Sequence, residues 1–321
     1  MNILGLAMVA LITQTADTLP PAAAAESPYT IRSAGLELQG TLTIPRALTK
    51  PVPVVVIIAG SGPTDRNGNS MMGIRPNSYA QLAWRLAERG IASLRYDKRG
   101  MPGTQGTFDI TNMTLDDFAG DARVAAESMS RDRRFSRVVF LGHSEGASLA
   151  LIAGAGGAPV AGIVHVSGLG RRTGEVLREQ LSRQFDSAVL VRYDTAMKHY
   201  LSGEQPADVP QGLEMLFVPV NRTYMRSMMA FEPQAAIRAV RQPVLIVQGA
   251  TDLQATVADA ERLHAARPNA QLVVVPLANH VLKQTADTTI AGQLPTYQSP
   301  TIPIMPEVVK PIADWVLNLR P

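Results

Sequence analysis

The stretch VVFLGHSEGASLALIAGA, residues 138–155, decides the fold. An apolar run leads directly into Gly142-His143-Ser144-Glu145-Gly146, and a segment rich in alanine and leucine follows. This order predicts a buried strand, a sharp turn and a helix. A serine at such a turn lies in strained backbone, and small residues two positions before and after it avoid clashes. The pattern therefore predicts Ser144 as a nucleophile; a purely structural turn bracketed by glycines is the alternative.

Strand and helix patterns alternate on both sides of this turn. Residues 54–58 are a continuous β-branched run, as a strand buried on both faces requires. Further strands are predicted at residues 91–96, 138–141, 160–166, 244–248 and 271–275, and helices at 79–89, 115–129, 145–154, 257–266 and 306–319. We therefore expect an α/β protein with a doubly wound, mostly parallel sheet, preceded by an antiparallel hairpin within residues 29–45.

The alternation is interrupted once. Residues 171–241 are helix-like, charged and rich in methionine, without a clear strand. This pattern predicts a helical cap inserted into a core formed by residues 26–170 and 242–321. Cap residues such as Met215, Met225 and Met228 either line a flexible acyl pocket or pack the cap onto the core. Residues 293–306 contain four prolines and predict an extended loop.

Residues 1–25 resemble a signal peptide. The ten-residue apolar run at 3–12 is too short to span a bilayer, and the small residues at 22–25 suit a cleavage site. We expect cleavage after Ala25, or after Ala24, and export of the mature chain to the periplasm or the medium. An apolar N-terminus on a cytosolic enzyme is the alternative, because no Lys or Arg precedes Arg32. No other segment has 18 uninterrupted apolar residues, so no membrane span is expected in the mature chain.

Composition excludes several classes of function. The net charge is +3 and the basic residues are scattered, which argues against binding to nucleic acid. Cysteine is absent, so there is no disulfide, thiolate metal site or cysteine nucleophile. No His, Asp and Glu residues cluster at metal-ligand spacing, and neither a metal nor another cofactor is expected. The sequence does not indicate the oligomeric state.

A serine hydroxyl needs a general base and a carboxylate that orients the base. Of the five histidines, His280 follows the last predicted strand, at the sheet edge where α/β proteins place active sites. His143 belongs to the turn itself, His165 is expected in the core, and His199 and His264 are expected on solvated helices. Asp252 follows the strand at residues 244–248 and is the predicted acid. Asp259, inside the next predicted helix, is its competitor.

When a serine attacks a carbonyl carbon, the carbonyl oxygen becomes an oxyanion that needs hydrogen-bond donors. Two backbone amides are expected to supply them. The Glu145 amide lies at a predicted helix N-terminus, where the helix dipole favours negative charge. Ala59-Gly60-Ser61-Gly62-Pro63 is a glycine-rich turn after an early strand, and the Ser61 amide is the second candidate. A phosphate loop is the weaker interpretation because no Gly-Lys-Ser/Thr ending follows. The polar residues Asp65, Arg66, Asn67 and Asn69 either shape the mouth of the site or form a surface turn.

With these residues placed, the chain resembles the α/β-hydrolase superfamily. Its serine turn GHSEG, the acid turn GATD at residues 249–252 and the Asn-His before the last helix match the family pattern in order, and YDKRG at 96–100 is similar to its Asp-x-Arg-Gly turn. AGSGPTDRNGN at 59–69 is similar to bacterial esterases of the serine-aminopeptidase-like and monoglyceride-lipase-like branch. The resemblance implies an acyl-enzyme on Ser144 formed from a small-molecule carboxylic ester. A peptidase or amidase with the same triad is the alternative, and a non-catalytic protein on this scaffold is a third possibility.

Overall fold

The computed structural model describes residues 19–70 and 73–319. Within these residues the strands are β1 Ala24–Ser33, β2 Leu36–Pro45, β3 Val52–Ile58, β4 Ala92–Tyr96, β5 Phe135–His143, β6 Gly162–Val166, β7 Val244–Gly249 and β8 Gln271–Val275. The α-helices are α1 Ser78–Ala87, α2 Leu115–Ser130, α3 Glu145–Ala155, α4 Thr173–Ser182, α5 Ser187–Ser202, α6 Arg222–Ala230, α7 Pro233–Ala239, α8 Val257–Ala266, α9 Ile290–Gln298 and α10 Pro306–Asn318. Short 3₁₀ turns occur at Ile110–Asn112, Glu214–Phe217 and Pro219–Asn221.

The strands form one eight-stranded sheet in the order β1-β2-β4-β3-β5-β6-β7-β8. β1 pairs antiparallel with β2, and β2 with β4, whereas β3 to β8 are parallel to their neighbours. The chain thus winds outward in both directions from β3 and β4. This arrangement confirms the predicted doubly wound, mostly parallel α/β sheet and its hairpin at one edge.

The sheet is buried on both faces, as the β-branched run in β3 requires. Val54, Val56 and Ile58 pack into the hydrophobic cluster that includes α2 and α3. The alternating residues Val55 and Ile57 pack into a second cluster with α1 and α10 on the opposite face. Successive strand residues face opposite sides of a sheet, so a strand with helices on both faces must be apolar throughout.

Between β6 and β7 the chain forms α4, α5, α6, α7 and two of the 3₁₀ turns. This segment has a hydrophobic cluster of its own, which includes Leu190, Met197, Tyr200 and Phe217. Ile237 of α7 belongs to the core cluster instead and connects the segment to the sheet. The segment is the one predicted as a helical cap, and we use the name cap for residues 171–241.

The prediction for residues 293–306 was wrong in its first half. Residues up to Gln298 belong to α9, whose first turn is capped by the Thr289 side chain accepting from the Gly292 amide at 3.1 Å. The buried Gln293 side chain donates to the Thr251 and Asp287 carbonyls, each at 2.7 Å. A proline removes one intrahelical hydrogen bond, and these contacts within and beyond the helix stabilise α9 despite Pro295.

The chain's N-terminal residues are described only from Leu19 onward, so the apolar run of the predicted signal peptide lies outside the described residues. Ala24 is buried at the start of β1 and pairs with Pro45. The Arg46 side chain donates to the Ala22 and Ala24 carbonyls at 2.9 and 3.2 Å. Among the described helices, none is long and apolar enough to cross a membrane.

Candidate active site

The turn after β5 has the strained geometry that its sequence predicts. Ser144 has φ 57° and ψ −123°, and its amide donates to the Val166 carbonyl at 2.9 Å. A Cβ on Gly142 would lie 2.1 Å from the Gly146 carbonyl oxygen, and one on Gly146 would lie 2.1 Å from that of Ile58. Both glycines are therefore required by direct contact between backbone segments.

His280 and Asp252 form a hydrogen-bonded pair. His280 Nδ1 lies 2.8 Å from Asp252 Oδ2, and the Asp252 side chain is fully buried. Asp252 Oδ1 accepts from the Gln254 and Ala255 amides at 2.8 and 3.1 Å. Burial alone would raise the pKa of Asp252, but the His280 imidazole and these hydrogen bonds together hold that pKa below its ordinary value. Asp252 is therefore an ionised acceptor at neutral pH, and it holds the Nδ1 proton of His280.

The competing acid, Asp259, is used elsewhere. It closes the capping box at the start of α8 with Thr256 and pairs with Arg171 at 2.9 Å. Burial opposes ionisation, but the bonds from Arg171 and Thr256 lower the pKa of Asp259 below its ordinary value. Asp259 thus has structural partners of its own, and the acid that contacts His280 is Asp252.

The remaining histidines lie outside the Ser144–His280–Asp252 group. His143 is buried behind His280: its Nδ1 lies 2.8 Å from the Tyr79 hydroxyl and its Nε2 lies 2.7 Å from the His280 carbonyl. Burial lowers the pKa of His143 to about 3, so the ring is neutral. His165 is a core residue as expected, but neither ring nitrogen has a hydrogen-bond partner among the described residues. His199 is exposed as expected and contacts Glu204, whereas His264 is half-buried.

The glycine-rich turn after β3 lies against the serine turn. A Cβ on Gly60 would lie only 3.2 Å from Ser144 Cβ, so a larger residue would separate the two turns. The Ser61 and Glu145 amides donate no hydrogen bond within the described residues. They are therefore available to an oxyanion near Ser144. The residues after this turn form a hydrogen-bonded surface turn, in which Asp65 Oδ1 accepts from the Asn67 and Asn69 amides.

Sequence reasoning did not identify three side chains that hold these turns in place. The Tyr79 hydroxyl accepts from the Gly60 amide at 3.1 Å, and the Lys98 ammonium donates to the Gly60 carbonyl. Tyr224 of α6 donates a hydrogen bond to the Glu145 carboxylate. Lys98 lies within the segment YDKRG, which the sequence analysis noted. Its hydrogen-bond partner, the Gly60 carbonyl 38 residues away, could not be predicted from the sequence.

Ser144 and His280 line two adjoining cavities. The first, about 300 Å³, is lined by residues 60–64, Tyr79 and Tyr297, and we call it the loop-side cavity. The second, about 380 Å³, we call the cap-side cavity; it is lined by apolar side chains, among them Leu169, Val176, Leu177, Leu216, Met225, Met228 and Phe231. Among the cap methionines, Met225 and Met228 line this cavity, whereas Met197 packs within the cap and Met215 is exposed.

Within residues 19–70 and 73–319, no group of three or more His, Asp or Glu side chains is arranged to hold a metal ion. The chemical groups at the Ser144 site are a hydroxyl, an imidazole paired with a buried carboxylate, and backbone amides. These groups together suit acyl transfer.

The model of the alpha/beta hydrolase family matches residues 55–286. Because the match covers most of the sequence, the chain belongs to this family. Esterase EstD of Thermotoga maritima is 29% identical over 254 residues, which are 76% of this chain and 58% of that protein. The chain thus spans little more than half the length of this curated relative.

Solved structures share the fold. Est1E from Butyrivibrio proteoclasticus, with bound ferulic acid, has a TM-score of 0.57 at 17% identity, and the match covers 91% of this chain and 98% of that one. Proline iminopeptidase from Mycobacterium smegmatis has a TM-score of 0.58 at 16% identity, covering 90% and 97%. At these identities the likeness establishes the α/β-hydrolase fold and leaves the substrate open.

Proposed function

We propose that this protein hydrolyses carboxylic esters through an acyl-enzyme on Ser144. The observation that carries the proposal is the Asp252–His280 hydrogen bond of 2.8 Å, with His280 and Ser144 on the wall of the same cavities. Similarity to Esterase EstD supports ester hydrolysis. The peptidase alternative has less support, because the turn after β3 begins with Ala59 and lacks the HGGPG pattern of proline aminopeptidases.

In the proposed mechanism, Ser144 Oγ attacks the ester carbonyl carbon and His280 Nε2 accepts the hydroxyl proton. Asp252 keeps the other proton on Nδ1 and stabilises the imidazolium that forms. The Ser61 and Glu145 amides bind the oxyanion of the tetrahedral intermediate. His280 then protonates the departing alcohol. Water hydrolyses the acyl-enzyme by the same steps, with His280 as its general base, and releases the carboxylic acid.

The two cavities suggest how an ester is oriented. The cap-side cavity is mostly apolar and about 380 Å³, which suits a short or medium acyl chain. The loop-side cavity is lined by polar and aromatic residues, among them Ser61, Thr64 and Tyr297, which suit an alcohol group of mixed polarity. No Arg or Lys side chain lines either cavity within the described residues, so a neutral ester is favoured over an anionic one.

A panel of p-nitrophenyl esters from acetate to dodecanoate tests the proposal, with matched p-nitroanilides as amide substrates. We expect ester turnover with an optimum at short or medium chains, and none in Ser144→Ala. Labelling of Ser144 by a fluorophosphonate without turnover of any ester would refute the esterase proposal. Faster turnover of the amides than of the esters would favour the peptidase or amidase.

The proposal includes export through a signal peptide that ends near Ala25. Cleavage after Ala25 would remove the first two residues of β1, Ala24 and Ala25, and would leave Glu26 as the new N-terminus. The Glu26 carboxylate pairs with Arg95 at 2.7 Å, so this end of the mature chain would remain attached to the sheet. N-terminal sequencing of the protein from the periplasm or medium tests both export and the cleavage site. Recovery of the uncleaved chain in the cytosol would refute export.

A further inference from the structure

Lys98 is a buried lysine close to the nucleophile. It follows β4, and its side chain is 7% exposed. Its ammonium donates to the Gly60 carbonyl at 2.5 Å, lies 3.5 Å from Glu145 Oε1 and stands 5.7 Å from the Phe118 ring centroid. Removing an ammonium from water is costly unless it is paired and hydrogen-bonded. Lys98 meets this condition through one carboxylate and one carbonyl, and both belong to the turns around Ser144.

The contact with Gly60 bears on the Ser61 amide. The Gly60 carbonyl and the Ser61 N–H belong to one planar peptide group, and they point in opposite directions. A donor that holds the carbonyl therefore also sets the direction of the N–H. The preceding amide, that of Gly60, is held by the Tyr79 hydroxyl at 3.1 Å. The backbone at Gly60 is thus fixed at both of its polar groups.

An ammonium on the carbonyl also changes the strength of the amide as a donor. Hydrogen bonds to a charged donor are stronger than neutral ones, and bonds in a chain polarise one another where the local dielectric is low. Polarisation of the Gly60 carbonyl by Lys98 makes the Ser61 N–H more positive. The more positive N–H stabilises an oxyanion more strongly when one forms beside it.

Glu145 takes part twice in the proposed oxyanion hole, through its carboxylate and through its backbone amide. Its carboxylate is 7% exposed, pairs with Lys98 and accepts a hydrogen bond from Tyr224 of the cap. Its own backbone amide is the second oxyanion donor of the proposed mechanism. We propose that Lys98 is a positioning residue of the oxyanion hole, which orients and polarises the Gly60–Ser61 peptide while Glu145 holds its ammonium in place. This inference rests on the proposed function.

The experiment compares Lys98→Met, Lys98→Gln and Lys98→Arg with the full-length wild type. kcat and KM are measured with p-nitrophenyl butyrate, and Ki with butaneboronic acid, whose tetrahedral adduct on Ser144 mimics the oxyanion intermediate. Loss of one oxyanion donor costs about 10²–10³ in kcat, so we expect about a 10- to 100-fold loss for Lys98→Met, where the peptide is loosened and not removed. The boronate Ki should rise in parallel and KM should change little. Lys98→Arg keeps a charged donor and should retain more activity than the other two variants.

Lys283→Met is the matched control, because Lys283 is the other buried lysine of the described chain and also donates to a backbone carbonyl, that of Ser299. It should lower the melting temperature without raising the boronate Ki. Wild-type kcat in Lys98→Met and Lys98→Gln, or a loss of kcat with an unchanged Ki, would overturn the inference. If Lys98→Met does not fold, Lys98→Gln and Lys98→Arg carry the same comparison. Activity of the wild type and its loss in Ser144→Ala test the proposed function separately.

Discussion

Replacing Asp252 by asparagine tests the proposed base and its orienting acid at one position. The variant keeps the shape of the side chain and removes its charge. Asp252 Oδ1 accepts from two backbone amides, those of Gln254 and Ala255. An NH₂ group cannot accept these bonds, so the asparagine oxygen must face them. The NH₂ group then faces His280 Nδ1, which lies 2.8 Å from Oδ2 in the wild type.

The consequence for His280 is a change of tautomer. Nδ1 must accept from the asparagine, so the ring proton moves to Nε2, the nitrogen that would otherwise take the proton of Ser144. We expect kcat/KM for p-nitrophenyl butyrate at pH 7 to fall by about 10⁴, which is about 5.5 kcal/mol of transition-state stabilisation. The free energy of unfolding should change much less, because the bonds from Gln254 and Ala255 remain.

Asp259→Asn is the matched control, since Asp259 is another buried acid but pairs with Arg171. It removes a charge from a buried pair, and we expect a loss of stability of about 3 kcal/mol with kcat preserved. Urea unfolding and ester hydrolysis, measured on both variants, give the two quantities. Asp252→Asn with more than about a tenth of wild-type kcat/KM would contradict the assigned role, since tautomer reversal predicts a far larger loss.

Three further predictions concern close contacts, cavity lining and a buried histidine. Gly146→Ala places a Cβ 2.1 Å from the Ile58 carbonyl oxygen and should lose about 3 kcal/mol in urea unfolding, whereas Gly120→Ala, with nothing within 4 Å, should gain about 0.5–1 kcal/mol. Met228→Trp fills part of the cap-side cavity and should lower kcat/KM for octanoate relative to acetate about tenfold; an unchanged ratio would mean the acyl chain lies elsewhere. Burial lowers the pKa of His165 to about 4 from 6.5, so the unfolded chain binds the proton first as pH falls. About 3 kcal/mol of stability is then lost between pH 6.5 and 4, and His165→Leu should remove that part of the pH dependence in urea titrations at about pH 7.5 and 4.

Much of the fold was accessible from the sequence because its strands are buried on both faces. A continuous β-branched run such as that at residues 54–58 is typical of a strand covered by helices on both sides, and the helices between such runs have apolar residues at helical spacing. Ser144, Asp252 and His280 could be proposed from the sequence for a related reason. Each follows a predicted strand, and parallel strands bring their carboxyl ends to one edge of the sheet. The short contact between Asp252 and His280 is consistent with that expectation.

Helix α9 and the side-chain contacts of Lys98 and Glu145 could not be predicted from the sequence, because they depend on contacts between distant residues. α9 contains Pro295, a local signal against a helix, and is held by the Gln293 side chain bonding to Thr251, 42 residues earlier. Lys98 pairs with Glu145, and Glu145 with Tyr224, although nothing in the local pattern of any of these residues indicates a partner. A side-chain hydrogen bond leaves no periodic trace in the sequence, so pairings of this kind require the three-dimensional arrangement.

The glycines around Ser144 and the residues that line the cap-side cavity differ in how strongly the structure restricts the residue type. Around Ser144 the turns after β3 and β5 approach each other through backbone atoms, and at Gly60, Gly142 and Gly146 a Cβ would come within 3.2 Å of a neighbouring atom. Contacts between backbones restrict the residue type at each of these positions, so the local glycine spacing predicts the geometry of the turns. The apolar part of the cap-side cavity is formed by Leu, Val, Met and Phe side chains. Apolar substitutions that conserve volume are generally tolerated at such positions. Under the proposed function, we therefore expect substitutions along this cavity to change the acyl preference while all three glycines stay in place.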